Sequence, residues 1–496
     1  MIRLDGCSLS PSALAQIAAG AEVELDEAAL ARVAANRGVV DRIVAEGRTV
    51  YGINTGFGQF ATVAIPPDQL QVLQLNLIRS HAAGVGEPIG RTETRALMAA
   101  RINCLLKGHS GIRPEPIRLL AACLNRNVLP LIPSQGSVGA SGDLAPLAHM
   151  ALLLVGEGLA WSASGPVPGG QALAAASLVP VVLEAKEGLA LINGTQVITA
   201  LGSLAAERFG RLAALADEVA GLSLEALRGS RAAFDPRIHA ARPHPGQVAV
   251  AERMRNLLGP TSAIAESHQD CHRVQDAYSL RCIPQVHGVV RDALTFAGAI
   301  LERELNAATD NPMVFTDTGE SRSGGNFHGQ YPAFACDLLA IAAADLASMS
   351  ERRQERLVNP AYSDLPAFLT GHGGLESGFM MAHVTSAALV SEMKGLAHPA
   401  CVDSIPTSAG KEDHVSMGPI AARKLLRAVA ALEQVLAIEA RMALEGLRFI
   451  GLAPGEGLQP LMARLSAACA PWSDRAMYEE ISASLQALRQ HMDAEP

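Results

Sequence analysis

The sequence predicts a mainly α-helical protein, a large multi-helix bundle with an N-terminal region that is rich in loops. Hydrophobic residues make up 49% of the 496 residues but aromatic residues only 4%, and alanine is abundant. This balance favours helices with small packing residues over aromatic-rich β-sandwiches. Long stretches also carry apolar residues at three- and four-residue spacing, and glycine-rich polar segments separate these stretches.

The chain is expected to form one intertwined unit with three regions. These are a loop-rich N-terminal region at residues 1–190, a central long-helix bundle at 191–450 and a C-terminal helical segment at 451–496. The segment SASGPVPGG (162–170) resembles a linker and indicates a possible domain boundary.

Three long helices are predicted in the central region. Apolar stripes with charges between them predict helices over residues 196–227 and 332–356. A third helix is predicted from Gly418-Pro419 to Gly446, because proline suits the first turn of a helix. Most residues of these helices are expected to serve the core.

Charge and cysteine content exclude several classes of protein. A net charge of −9 argues against nucleic-acid binding. Eight cysteines at irregular spacing, without a Cys-x-x-Cys pair, argue against a disulfide framework or a zinc ribbon and favour the cytoplasm. The N-terminus lacks the pattern of a secretory signal, and the apolar runs are too short for a membrane span.

Chemistry is expected in the polar, glycine-rich segments between helices. These segments are YGINTGFGQ (51–59), SQGSVGASGDLAP (134–146), NGTQ (193–196), SGGNFHGQ (323–330) and PTSAGKEDHVSMGP (406–419).

Motifs for other chemistries are incomplete. A phosphate loop ends in Lys and Ser or Thr, whereas Asp143 follows GSVGASG here. A hydrolase elbow requires Gly-x-Ser-x-Gly, but Gly142 comes one place early. Ser391 and Lys394 match Ser-x-x-Lys, yet no Lys-Thr-Gly completes a penicillin-binding site.

His268, Cys271 and His272 would share one helix face and could supply part of a metal site. A closed site needs a fourth ligand, and no second paired cluster follows at suitable spacing. We therefore expect no bound metal.

The tripeptide Ala140-Ser141-Gly142 has a distinctive possible chemistry. Attack of the Gly142 nitrogen on the Ala140 carbonyl, followed by loss of two waters, would give 4-methylidene-imidazol-5-one (MIO), an electrophile made from the backbone. Glycine permits the strained approach because it lacks a Cβ atom. Since the tripeptide recurs at Ala163-Ser164-Gly165, its context must decide.

The segment GSVGASGDLAPLAH (136–149) resembles the cofactor-forming segment of the MIO-dependent aromatic amino acid ammonia-lyase family. Further similar segments follow in order along the chain: YGINTGFG (51–58), EGLALINGTQ (187–196), VQDAYSLRC (274–282), ELNAATDNP (304–312), SGGNFHGQ (323–330) and EDHVSMGPIAARK (412–424). The resemblance implies addition of a substrate amine to the methylidene carbon, removal of a β-proton and loss of ammonia.

The resemblance also assigns roles to single residues. Tyr51 would be the base, although its phenol needs a nearby cation or hydrogen-bond donors to favour phenolate, since an unperturbed tyrosine has a pKa of about 10. Arg281 would bind the substrate carboxylate through its planar fork. Tyr278 would hydrogen-bond near the MIO oxygen, and Phe327 would pack against the ring system.

Three amides match family amides near the substrate or the prosthetic group: Asn193, Gln275 and Asn311. The alternative for each is a buried polar group that only satisfies its own hydrogen bonds.

Two residues point to histidine as the substrate. Ser80-His81 occupies the family's side-chain selectivity position and resembles the histidine-specific members, while Glu412 can accept a hydrogen bond from imidazole. Together they are interpreted as a donor and an acceptor for the two imidazole nitrogens. Gly410 and Lys411 depart from the Asn-Gln of the usual histidine-type pattern, which leaves the substrate open.

The resemblance therefore implies a homotetrameric MIO-dependent ammonia-lyase that converts L-histidine to urocanate without a metal or nucleotide. The alternatives within the family are a tyrosine or phenylalanine ammonia-lyase and an aminomutase. Outside it, the alternatives are a serine hydrolase with Ser141 as nucleophile and a non-catalytic helical assembly protein.

Overall fold

The computed structural model describes residues 1–56, 58–269 and 274–494 and confirms the mainly α-helical fold class. Helices account for 61% of the structure. The first eight are α1 Pro11–Ala18, α2 Glu27–Ala45, α3 Leu70–His81, α4 Arg91–Leu105, α5 Pro114–Asn125, α6 Leu144–Leu154, α7 Gly169–Ala175 and α8 Glu187–Ile192. The rest are α9 Gln196–Ala226, α10 Pro236–Ala240, α11 Pro245–Leu258, α12 Ala263–Glu266, α13 Tyr278–Arg281, α14 Ile283–Leu305, α15 Gln330–Val358, α16 Met380–Ala397, α17 Gly418–Ile450, α18 Gln459–Ala468 and α19 Met477–Ala494.

The strands are short and form two-stranded pairs. One pair is parallel, β1 Ile2–Leu4 with β2 Val23–Leu25. The others are antiparallel: β3 Val85–Pro88 with β4 Pro133–Gln135, β5 Leu159–Ala160 with β6 Val167–Pro168, and β7 Met313–Phe315 with β8 Glu320–Arg322.

The chain groups into two compact units, each built from three separate segments. The first unit comprises Met1–Glu207, Ala297–Asp337 and Pro399–Arg423, and the second comprises Arg208–Phe296, Leu338–His398 and Lys424–Pro496. The predicted division into regions at residues 190 and 450 remains a prediction.

The three predicted long helices are confirmed as α9, α15 and α17. Helix α17 begins at Gly418, as predicted, but continues past Gly446 to Ile450. Gly446 does not end the helix, and a Cβ atom there would lie 3.2 Å from the Cβ of Ala226. The glycine instead permits close packing within the second unit.

The linker-like stretch 162–170 does not mark a boundary between the compact units. It connects strands β5 and β6, includes β6 and the start of α7, and lies entirely within the first unit. Within it, Gly165 and Pro166 lie in the hairpin turn.

In the described part of the chain, one helix has the length and composition needed to cross a bilayer. This is α15, whose most apolar window has a mean hydropathy of 1.5. Because 61% of that window is buried inside the protein, the helix is only weak support for a membrane span.

The core of the second unit contains a buried ion pair. Arg353 donates from Nε to Oε1 of Glu439 at 2.5 Å and from Nη2 to Oε2 at 2.9 Å, and both side chains are fully buried. Ser223 adds a hydrogen bond to the same carboxylate at 2.6 Å. Such a pair costs much to desolvate, so losing one partner leaves an uncompensated charge.

We expect Arg353→Met to lower the free energy of unfolding by about 3–5 kcal/mol, because Glu439 would remain buried without its partner. The matched control is Arg211→Met, which breaks an exposed pair with Asp493 and should cost about 1 kcal/mol or less. Urea-unfolding midpoints measure both changes. Equal shifts in the two variants would contradict the expectation.

Candidate active site

The Ala140-Ser141-Gly142 segment is held against a second backbone segment at Gly194. Gly142 has a φ of +73° and forms an isolated parallel bridge with Gly194, and a Cβ atom on Gly142 would overlap the Gly194 carbonyl. The next amide, that of Asp143, donates to the Gly194 oxygen at 2.7 Å. Only glycine fits at Gly142 in this packing.

Asp143 fixes the start of α9 to the same segment. Its Oδ2 accepts hydrogen bonds from the backbone amides of Val197 at 2.7 Å and Ile198 at 3.0 Å. Complete burial raises the pKa of Asp143 to about 7, although these two amides oppose the shift. Its Oδ1 is buried without a hydrogen-bond partner among the described residues.

Asn193 and Glu412 contact Ser141 from two directions. The Asn193 amide donates from Nδ2 to the Ser141 carbonyl oxygen at 2.9 Å. The Ser141 hydroxyl donates to Oε1 of Glu412 at 3.0 Å, and the Thr407 hydroxyl donates to Oε2 at 2.6 Å. The Glu412 carboxylate is thus fixed at one oxygen by Thr407 and bound to Ser141 at the other.

Gly410 and Lys411, which depart from the usual histidine-type pattern, have different structural surroundings. Gly410 has a φ of +79°, a left-handed conformation that both glycine and asparagine adopt. Lys411 is exposed, and within the described ranges it forms no ion pair with Glu412. The contacts described for the Glu412 carboxylate are those with Thr407 and Ser141.

Tyr51 lies in the same unit, half-buried. Burial raises the pKa of its phenol above the ordinary value and the Glu412 carboxylate raises it too, while the Gly58 backbone amide lowers it. Gly58 is the expected type of donor, but no cation acts on Tyr51 among the described residues. These contributions together disfavour phenolate, and the role of Tyr51 as the base stays a prediction.

His81 is the last residue of α3. Its Nδ1 lies 2.8 Å from the Leu77 carbonyl oxygen, so Nδ1 carries the hydrogen that is donated. In the neutral form, Nε2 is then an acceptor. In this neutral form, His81 Nε2 and the Glu412 carboxylate are both acceptors, and the pairing of these two residues with the imidazole nitrogens stays a prediction.

Asn311 and Phe327 belong to neighbouring loops of the first unit. The Asn311 Oδ1 accepts from the Ser323 hydroxyl at 3.1 Å and from the Gly324 amide at 2.7 Å. This leaves Nδ2 as the group that can face a ligand. Phe327 is half-buried.

Gln275, Tyr278 and Arg281 lie in the second unit, whereas the other expected site residues lie in the first. The Arg281 guanidinium lies 4.6 Å from the centre of the Tyr278 ring. Gln275 and Tyr278 are exposed. Their expected roles remain predictions.

Sequence reasoning missed several residues that shape the site. Thr407 fixes Glu412, and the Lys186 ammonium forms a fully buried ion pair with Asp310, next to Asn311, at 3.0 Å. The sequence pattern places Gly194 within NGTQ but does not indicate its role. A glycine between two helical patterns was the available signal for Gly194, whereas the others depend on long-range contacts.

The two Ala-Ser-Gly copies have different surroundings. A Cβ atom at Gly165 would meet nothing within 4 Å, and Ser164 is exposed in the β5–β6 turn. The copy at residues 140–142 is instead clamped by Gly194, and the buried Asn193 Oδ1 lacks a partner in the described structure. Residues 140–142 therefore fit a prosthetic group made from the backbone, and the Asn193 Nδ2, which donates to the Ser141 carbonyl oxygen, would hold that oxygen of the group.

Metal ligands can be judged only within the described ranges, where no group of three or more His, Cys, Asp or Glu residues could hold an ion. Of the three residues weighed from sequence, Cys271 and His272 lie outside these ranges.

Comparisons with known proteins give consistent matches. The family model for aromatic amino acid lyases matches residues 9–467. A histidine ammonia-lyase from Bos taurus is 54% identical over 97% of this chain and 75% of its own. The crystal structure of histidine ammonia-lyase from Trypanosoma cruzi is 47% identical, with a TM-score of 0.92 over 99% of this chain and 93% of that chain. Tyrosine aminomutase from Streptomyces globisporus is 37% identical, with a TM-score of 0.92 over 99% and 97%.

Glu412→Gln should lower the pKa of Tyr51, because it removes a negative charge that disfavours phenolate. The measurement is the ultraviolet absorbance of phenolate as pH rises, with Tyr51→Phe subtracted in each background to isolate this tyrosine. An unchanged or higher Tyr51 pKa would contradict the electrostatic coupling.

Proposed function

Because the chain belongs to the aromatic amino acid lyase family, we propose that it eliminates ammonia from L-histidine to give urocanate. The main observation behind this proposal is that the Ala140-Ser141-Gly142 segment packs tightly against Gly194 and that its serine contacts Glu412. The relatives named histidine ammonia-lyase support the choice of substrate.

The prosthetic group of this proposal is MIO formed from residues 140–142. When formed, MIO supplies an electrophilic carbon that converts the substrate amine into a leaving group. The Gly142 and Gly194 packing supports cyclisation by pressing this backbone into an unusual conformation. Loss of the Ser141 hydroxyl would also release Oε1 of Glu412, which Ser141 occupies in the uncyclised chain.

The residues of the chain then divide the remaining work. Tyr51 removes the β-proton, and its raised pKa means that catalysis should improve as pH rises. Glu412 accepts an imidazole N–H with the released oxygen, while Thr407 keeps the carboxylate oriented. His81 contacts the second nitrogen, and Arg281 binds the carboxylate.

An aminomutase is the second candidate, because the tyrosine aminomutase structure is similar over nearly the whole chain. Both reactions begin with loss of ammonia, but an aminomutase returns the amine to the β-carbon. A β-amino acid among the products would favour this candidate. A serine hydrolase is disfavoured by the contact of Ser141 with a carboxylate rather than a histidine.

We also propose a cytoplasmic homotetramer. Large apolar side chains are exposed along three helices, as expected for faces that pack against other subunits. They include Val289 and Phe296 on α14, Tyr331, Phe334 and Ile341 on α15, and Met381 and Val384 on α16. Light scattering of the purified protein measures the assembly, and a fully active monomer would overturn it.

The first test of the prosthetic group is mass. Cyclisation and two dehydrations should lower the mass by about 36 Da. Cleavage after Glu157 separates the two tripeptide copies, and we expect the loss on residues 140–142 but not on 163–165. Ser141→Ala should retain its full calculated mass and lose activity. Equal losses on both copies would contradict the role of the Gly194 clamp.

The second test concerns specificity. Leaving a buried hydrogen-bonding group without its partner costs about 1–3 kcal/mol, or about 5- to 150-fold. His81→Phe and Glu412→Gln should therefore lower kcat/KM for histidine by such factors, and affect phenylalanine less. The measurements are kcat/KM for histidine, tyrosine and phenylalanine, with mass as a control for MIO. A preference of the wild type for tyrosine or phenylalanine would refute the histidine assignment.

A further inference from the structure

The segment that follows His81 is attached to the helix that follows the Ala-Ser-Gly loop. Helix α3 ends at His81, and three residues later the Gly84 amide donates to Nε2 of His149 at 3.0 Å. His149 lies on α6, which begins directly after Asp143. One hydrogen bond thus connects the two parts of the site across 65 residues of sequence.

Close packing around Gly84 leaves little space for a different arrangement. A Cβ atom on Gly84 would lie 3.1 Å from Nε2 of His149 and 3.1 Å from the Cβ of Pro133. A Cβ atom on Gly136 would lie 2.9 Å from the Cα of Gly84. The chain after His81 therefore packs directly on the start of the glycine-rich loop.

The direction of the hydrogen bond defines the form of His149. A backbone amide donates, so Nε2 must carry a lone pair and the neutral ring must carry its hydrogen on Nδ1. Burial lowers the pKa of His149, which favours this neutral form. The side chain is half-buried and does not contact Ser141, Glu412 or Tyr51 through any described hydrogen bond.

We propose that His149 is a positioning residue for substrate specificity: by accepting the Gly84 amide, it fixes the His81 end of α3 relative to residues 140–142. This inference rests on the proposed function, in which His81 contacts the imidazole of the substrate. His149 itself acts through His81. Its loss should therefore weaken substrate binding without preventing formation of the prosthetic group.

Two variants of similar size separate the hydrogen bond from packing. His149→Gln places an acceptor oxygen near the position of Nε2, whereas His149→Met has a similar volume and no comparable acceptor. We expect His149→Met to raise KM for L-histidine about tenfold, the effect of one lost hydrogen bond. We expect kcat to change by about twofold or less and the 140–142 mass loss to remain, since the base and electrophile are untouched. His149→Gln should restore most of the wild-type KM.

The test also includes a control variant and an alternative variant for the case that His149→Met does not fold. His239→Met removes a hydrogen-bonded histidine from the second unit and should leave KM unchanged. If His149→Met does not fold, His149→Leu removes the acceptor with a smaller apolar side chain and should raise KM in the same way.

The outcomes distinguish the inference from the function on which it rests. A wild type that does not convert histidine refutes the proposed function. An active wild type whose KM survives His149→Met, or whose kcat alone falls, refutes the positioning role. Failure of His149→Gln to rescue KM would also refute it, because the acceptor would then not be the feature that matters.

Discussion

The contact between the backbones of Gly142 and Gly194 is the constraint on which the rest of the site depends. Neither position has space for a side chain, since a Cβ on Gly194 would overlap Arg101 and Gln196. The contact brings the Asn193 amide to the Ser141 carbonyl and the Asp143 amide to the Gly194 carbonyl. A loop and a helix start thereby become one rigid assembly.

Buried ion pairs at the start of helix α8 hold that assembly in place. Helix α8 has only six residues, yet its first residue, Glu187, is fully buried and accepts two side-chain hydrogen bonds from Arg113 at 2.8 Å each. Lys186, just before it, binds Asp310. Removing one partner of a buried ion pair costs much more free energy than the intact pair contributes to stability. These pairs therefore favour the one register of the chain that keeps both partners together. The register determines where Asn193 and Asn311 are placed.

Local patterns predicted the helices well, because periodic apolar residues report directly on which face is buried. The bounds of α9 and α15 differ from the predicted ones by two residues or fewer. The Ala-Ser-Gly segment was also found from sequence, although only resemblance separated it from its second copy. Contacts such as Asp143 with the amides of α9, or Glu412 with Ser141, join residues that are 54 to 271 positions apart. The spacing of apolar residues along the chain does not encode such pairs. The direction of the Tyr51 pKa shift could not be predicted either, because it depends on burial and on Glu412, which is distant in sequence.

The exposed Ala163-Ser164-Gly165 turn lacks the contact that Gly194 makes with Gly142, and this difference has a consequence for when MIO can form. A newly synthesised chain carries both tripeptides and, on the proposed function, no electrophile. The reactive group would arise only after Gly194 has been brought against Gly142. Formation of MIO would thus depend on the tertiary structure rather than on the tripeptide sequence. Misfolded molecules would then lack the electrophile, and only correctly folded chains would carry a group that reacts with amines.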